Sequence, residues 1–336
     1  MSELPTRQLG RNGPQVSAMG FGLMGLSAFY GEVESDEARF KVLDHAFALG
    51  ERNWDSADAY GDSEDLLGKW FQKTGLRDQI FLATKFALGA PGGTRSDPEY
   101  VRQACEKSLR RLDTPFIDLY YCHRVDRKTP VEKTVEAMVE LKKEGKIRHL
   151  GLSEVSSATL RRACAVHHIA AVQVEYNPFT LDIENAEVGL LQTCRELGVA
   201  IVAYSPLGRG FVTGQYKSVD DFEPNDFRRL SPRFSPENFP QNLKLVDDLA
   251  IIANTKGCTT GQLCLAWLLA QGEDIIPIPG TKKVKYLEEN LGAIKVHLTP
   301  QEVREIRACV DSAEVHGARY PPALMAAVFA DTPALT

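Results

Sequence analysis

Residues 117–153 read IDLYYCHRVDRKTPVEKTVEAMVELKKEGKIRHLGLS. The opening apolar run, 117–122, has the length and β-branched or aromatic content of a buried strand. Residues 130–143 place apolar side chains at a spacing near 3.6, as a helix does. Gly145 punctuates the end of that helix, and 147–153 form a second strand-like run. A strand, a crossover helix and a strand in this order form the repeating unit of a parallel sheet.

The same alternation extends in both directions. Further strand candidates lie at 18–23, 53–55, 80–84, 171–175, 200–203 and 275–278, and further helical patterns at 36–49, 98–112, 156–166, 185–197 and 239–256. Gly50, Gly198 and Gly257 mark other transitions. Eight strand-helix units with no break in composition predict one closed (β/α)8 TIM barrel, with its core at about residues 17–312. The G-x-G-x-x-G fingerprint of an open dinucleotide-binding sheet is missing. The nearest stretch, Gly20-Phe21-Gly22-Leu23-Met24-Gly25, has the wrong spacing. A turn signal at Asn12-Gly13 predicts an N-terminal hairpin over 7–16 that closes the barrel bottom. Two segments depart from regularity. Residues 207–240, rich in Gly, Pro, Asp and Arg, predict a long functional loop after the seventh strand. The tail at about 314–336 carries Pro321, Pro322 and Pro333 and reads either as a cover over a surface or as a disordered end.

The chain has 336 residues, 43% hydrophobic and 25% charged, with a formal charge of −6, which gives no reason to expect nucleic acid as a partner. No window nears the roughly 18 apolar residues of a membrane span, and residues 1–13 lack the apolar core of a signal peptide. The seven cysteines are scattered without C-x-x-C spacing, which fits a reducing, cytoplasmic compartment.

Chemistry in a parallel barrel gathers where strands end at the C-terminal face. Asp55 ends the second strand and Tyr60 follows five residues on; Lys85 ends the third and His123 the fourth. A lysine against apolar walls requires a carboxylate, which Asp55 can supply. A cation beside a phenol lowers its pKa and makes it a better acid.

At these residues the sequence resembles the aldo-keto reductase family. The resemblance rests on Asn53–Gly61 with Ser63-Glu64 and Leu67-Gly68, on Asp118–Arg124, on Gly145–Ser153, on Ala203–Gly210 and on Ile278–Lys282, and runs from about Arg7 to Asp311. It implies a catalytic tetrad of Asp55, Tyr60, Lys85 and His123. In that tetrad Tyr60 donates the proton, Lys85 depresses its pKa, Asp55 holds Lys85, and His123 orients the carbonyl and shares in proton relay. NADPH is the implied cofactor and a small carbonyl compound the implied partner. Ser153 and Gln173 would bind the carboxamide, Tyr204 would stack on the nicotinamide, and Gly22 and Met24 would face the cofactor. Ser205, Leu207, Gly208, Arg209 and Gly210 would take the pyrophosphate. Gly280, Thr281 and Lys282 would take the 2′-phosphate at a helix N-terminus, with Tyr286, Glu289 and Asn290 near adenine. Two positions depart from many members: Glu154 stands where they carry Asn, and Tyr286 where they carry Arg.

Phe29, Tyr30, Trp54, Phe86, Arg124 and the loop from Phe211 to Arg233 are the expected substrate elements. An aromatic mouth favours apolar carbonyls, although the same aromatics fit a core equally well. Arg124 suits either a substrate anion or a salt bridge with Asp126. A redox-sensing NADPH-binding subunit with little turnover is the rival reading. A metal-dependent barrel hydrolase lacks the His-x-His pair and acidic strand ends it would need.

Overall fold

The computed structural model describes residues 4–336. Eight parallel strands form one sheet in sequence order: β3 (Phe21–Gly22), β4 (Asn53–Asp55), β5 (Phe81–Phe86), β6 (Ile117–Cys122), β7 (Ile147–Ser153), β8 (Ala171–Glu175), β9 (Ala200–Tyr204) and β10 (Ile275–Pro277). They follow β1 (Thr6–Gln8) and β2 (Gln15–Ser17), which pair antiparallel as the expected hairpin. The sheet closes between its first and last strands. The Gly20 N–H donates to Pro277 O at 2.9 Å and the Gly22 N–H to Pro279 O at 3.2 Å, and Gly22 bridges Gly280. A Cβ on Gly22 would lie 2.8 Å from Ile278 O, and one on Gly280 would lie 2.5 Å from Gly22 O. Only glycine permits so close a seam. The fold is the expected (β/α)8 barrel.

Alternate residues on each strand face opposite ways, so the protein has two apolar regions. Ala83, Leu119, Tyr121, Ala171, Val202 and Ile276 fill the barrel interior, capped below by Leu9 and Val16 of the hairpin. Arg7 fastens that hairpin by donating to Leu269 O (2.7 Å), Gly272 O (2.9 Å) and Ile275 O (2.5 Å). The larger region lies between sheet and helices. Trp54 and Phe86 belong to it and are fully buried. Trp54 packs on Trp70, and Phe86 stacks on Tyr120 at 4.9 Å.

Most expected helices stand within a residue or two of their expected bounds. The helix Leu190–Leu197 starts five residues late, because residues 185–189 are taken by turns that end at Gly189, with φ +56°. The long connection after β9 contains four short 3-10 turns, Gly208–Thr213, Val219–Asp221, Phe227–Leu230 and Pro232–Phe234. The tail is an ordered cover. Arg319 is buried, Ala330 bridges Val155, and the Ser156 N–H donates to Ala330 O at 3.1 Å. None of the described helices is long and apolar enough to cross a membrane.

Candidate active site

Period-two alternation turns Asp55 and Lys85 into the barrel while Trp54 and Phe86 turn out. Lys85 has no solvent exposure and three donors to place. They go to Asp55 Oδ1 at 2.5 Å, Ser56 O at 2.6 Å and the Tyr60 hydroxyl at 3.4 Å. The second Asp55 oxygen accepts from Gln173 Nε2 at 2.8 Å. Because the Tyr60 oxygen accepts from Lys85, its own O–H remains free to donate.

Burial pushes the Lys85 ammonium down, but Asp55 and then Tyr60 more than offset it, and its pKa stands above the ordinary lysine value. Lys85 does lower the Tyr60 pKa, as expected, but burial outweighs it and the net direction is upward. Removing a phenolate from water costs more than one cation at 3.4 Å returns. The group stays a protonated phenol throughout the neutral range. His123 packs edge-on to Tyr60, with ring centroids 5.6 Å apart. Burial, Lys85 and Arg124 hold it well below the ordinary histidine value, so it is a neutral imidazole, and its buried Nδ1 has no hydrogen-bond partner.

Arg124 makes no ion pair with Asp126, which corrects that alternative. Asp126 instead accepts from the backbone N–H groups of Ser96, Lys128 and Thr129, each at 2.8–2.9 Å. Arg124 turns to the rim and donates to His123 O at 2.6 Å and Ser153 Oγ at 3.0 Å. Ser153 Oγ thus accepts from Arg124 and keeps its proton to donate. Gln173, with Nε2 committed to Asp55, keeps its carbonyl oxygen to accept. One donor and one acceptor are what a primary carboxamide requires.

The other expected positions fall along the rim from this point. Tyr204 ends β9, and its hydroxyl donates to Glu154 Oε1 at 2.8 Å. Ser205, Gly208, Arg209 and Gly210 all have positive φ, between 47° and 88°, and Leu207 packs on the core. Gly22 lies at the seam, and Met24 opens the short helix Met24–Ser27. Gly280, Thr281 and Lys282 precede the helix Val284–Gly292, on which Tyr286, Glu289 and Asn290 sit. Lys282 donates to the backbone oxygens of Tyr30 and Glu32, the latter at 2.7 Å, and has no carboxylate partner among the described residues. Glu289 accepts from Thr259 Oγ1 at 2.8 Å. Arg209 departs from the expected role for its charge: its guanidinium turns inward to Glu175 at 3.2 Å, because that buried carboxylate demands a cation.

Of the expected substrate residues, Phe29 lies edge-on to Tyr60 at 6.3 Å, and the Arg228 guanidinium lies 5.0 Å from the Tyr30 ring. Trp54 and Phe86 are corrected to the outer core, since each neighbours an inward-facing residue on its strand. The expected 211–233 loop contributes Phe227, and Tyr320 from the tail was missed. Phe227 meets Phe29 at 5.8 Å, and Tyr320 meets Phe227 at 6.4 Å and places its hydroxyl 3.1 Å from that of Tyr204. Tyr320 lies in a segment without periodicity, where spacing carries no signal.

A parallel barrel with a lysine, a carboxylate, a tyrosine and a histidine converging at the C-terminal strand ends defines a class of barrel oxidoreductase. Residues 18–311 match the model of the aldo/keto reductase family, and the chain belongs to that family. It is 57% identical to aldo-keto reductase str7 of Strobilurus tenacellus, over 99% of each chain. It is 52% identical, over 98% of each, to the Schizosaccharomyces pombe protein named aldo-keto reductase yakc, a name that carries NADP(+). Among solved structures it is similar to a glycerol dehydrogenase from Gluconobacter oxydans, with a TM-score of 0.82 at 25% identity over 94% of this chain and 98% of that one. It is also similar to an aldo-keto reductase from Klebsiella pneumoniae in complex with NADPH, with a TM-score of 0.71 at 25% identity over 96% and 99%.

Proposed function

We propose that this protein reduces aldehydes and ketones to alcohols with NADPH, Tyr60 delivering the proton to the carbonyl oxygen. The observation that carries the reading is the saturated coordination of Lys85, which fixes Tyr60 with its O–H free and a cation behind it. When bound, NADPH supplies the hydride to the carbonyl carbon. As negative charge builds on the substrate oxygen, the Tyr60 proton moves onto it, and Lys85 stabilises the phenolate left behind. His123, held neutral, orients that oxygen by hydrogen bonding rather than by charge.

The cofactor residues fit NADPH on three observations. Ser153 and Gln173 are left as a donor and an acceptor. The 205–210 turn has the positive φ values that bring backbone close to a ligand. Lys282 is a half-buried cation balanced only by carbonyl oxygens, and it is free to meet a 2′-phosphate. The NADP(+) in the name of the fission yeast relative and the NADPH in the Klebsiella structure support the same choice. The substrate mouth combines Phe29, Phe227 and Tyr320 with the Arg124 cation, which favours aromatic or apolar carbonyl compounds.

The test is a steady-state assay of NADPH loss with 4-nitrobenzaldehyde. Turnover is expected, with Tyr60→Phe lowering kcat by about 10³-fold and leaving NADPH affinity within about twofold. Tight NADPH binding without turnover in the unmodified protein would sink the enzyme reading.

A further inference from the structure

Glu154 directly follows Ser153 and is fully buried, with a backbone φ of +51° that a side-chain-bearing residue rarely adopts. Its surroundings hold it there. Its N–H donates to Gln173 O at 3.2 Å and its carbonyl accepts from Ala330 N at 2.9 Å. Its Oε1 accepts from the Tyr204 hydroxyl at 2.8 Å and from Glu175 N at 3.2 Å, and it lies 3.5 Å from Arg319 Nη1. Its Oε2 is buried without a partner. Arg319 comes from the far end of the chain, is 2% exposed, and also lies 3.8 Å from Glu175 Oε2. Glu175 has its own cation in Arg209. Arg319 is therefore the one guanidinium within ion-pair distance of Glu154 among the described residues. Its neighbour Tyr320 touches the Tyr204 hydroxyl from the other side, at 3.1 Å.

We propose that Glu154 and Arg319 are a positioning pair that anchors Tyr204 and balances the charge beside the nicotinamide, so that the tail around Arg319 is part of the cofactor site. The inference rests on the reading that Ser153 and Tyr204 face the nicotinamide. The oxidised ring carries a positive charge that the reduced ring lacks. A carboxylate beside it without a counter-ion favours NADP(+), and a guanidinium without one favours NADPH. With both present, the fields largely cancel. Arg319 allows a carboxylate to be buried directly beside Ser153.

The experiment measures the dissociation constants of NADP(+) and NADPH by titration calorimetry and follows their ratio. Glu154→Gln, which is nearly isosteric, should raise Kd for NADP(+) relative to NADPH by about tenfold. Arg319→Met should move the ratio about as far in the opposite direction, and Arg319→Lys should move it much less. The double variant Glu154→Gln with Arg319→Met should return the ratio to within about twofold of the unmodified protein. A tail that merely unfolds would weaken both cofactor forms alike, and an unmoved ratio overturns the proposal. So does a double variant in which the ratio is not restored. If Arg319→Met does not fold, the direction of the Glu154→Gln shift decides alone. Tyr204→Ala separates the underlying reading: unchanged affinity for both forms means that Tyr204 does not face the nicotinamide. Weakened binding there with an unmoved Glu154→Gln ratio rejects the pair and leaves the reading standing.

Discussion

Two buried ionic assemblies share the upper rim of the barrel and are built by opposite means. The first, Asp55, Lys85 and Tyr60, is drawn from two adjacent strand ends no more than 30 residues apart. It has one cation, and every donor of that cation is used. The second, Glu154, Glu175, Arg209 and Arg319, spans 165 residues and joins β7, β8, the loop after β9 and the tail. It is loosely satisfied: Arg209 Nη1, Arg319 Nε and Nη2, and Glu154 Oε2 are all buried without partners. A saturated cluster fixes one atom, here the Tyr60 oxygen, in one place. An under-coordinated cluster balances charge over a region without fixing any single proton. The first has the form needed for chemistry, and the second the form needed to hold a binding surface.

The largest effect that would break this contrast is at Lys85. Lys85→Met removes the cation behind Tyr60 and leaves Asp55 buried without its partner. The expected outcome is a loss of about 10³-fold or more in kcat at saturating NADPH, with cofactor affinity changed by less than about threefold. Single-turnover kinetics with NADPH preloaded would isolate the chemical step. A loss confined to cofactor affinity would erase the difference between the two assemblies. A smaller effect is expected at Lys282. Lys282→Ala should weaken NADPH by about tenfold and leave NADH within about twofold, read by fluorescence titration of both. Equal weakening of both would move Lys282 from a phosphate ligand to a tie for the 30–32 loop.

The same contrast explains what could be read in the sequence. Strands β4, β6, β7 and β8 stand at their expected bounds. Asp55, Tyr60, Lys85 and His123 were legible as candidates because they lie at or just past the ends of three consecutive strands, and the family resemblance implied their roles. Trp54 and Phe86 were misplaced as substrate residues, although each is adjacent to an inward residue and period two sends it outward into the core. β3 is shorter than expected because Gly20 and Gly22 are committed to the seam with β10, a contact between the two ends of the barrel that no local pattern encodes. Arg319 and Tyr320 gave no signal, since they lie in a proline-rich tail and their partners are far away in sequence. The inward turn of Arg209 was hidden for the same reason, because Glu175 becomes its partner only after β8 and the following loop have met.

The smallest predicted effect lies beside the first assembly, where Asp58 introduces a carboxyl with no cation in hydrogen-bond reach. Burial, then the nearby Glu64, raise its pKa to about 7, and its Oδ1 is buried without a partner. In the unfolded chain the same group titrates near the ordinary aspartate value of 3.8. Between those limits the folded protein retains a proton that the unfolded chain has already lost, so stability falls as pH rises from about 4 to about 7 and then levels. Asp58→Asn removes that slope. The variant should melt within error of the unmodified protein near pH 4 and on the order of 2–4 °C above it at pH 8, by calorimetric scans across the range. Glu51, raised by burial to about 8, lies at the opposite end of the barrel and contributes a slope of the same sign. The Asp58 variant should therefore flatten the profile only in part. If Glu51→Gln flattened it and Asp58→Asn did not, the uncompensated charge would belong to the barrel floor, and the catalytic rim would be balanced on both sides.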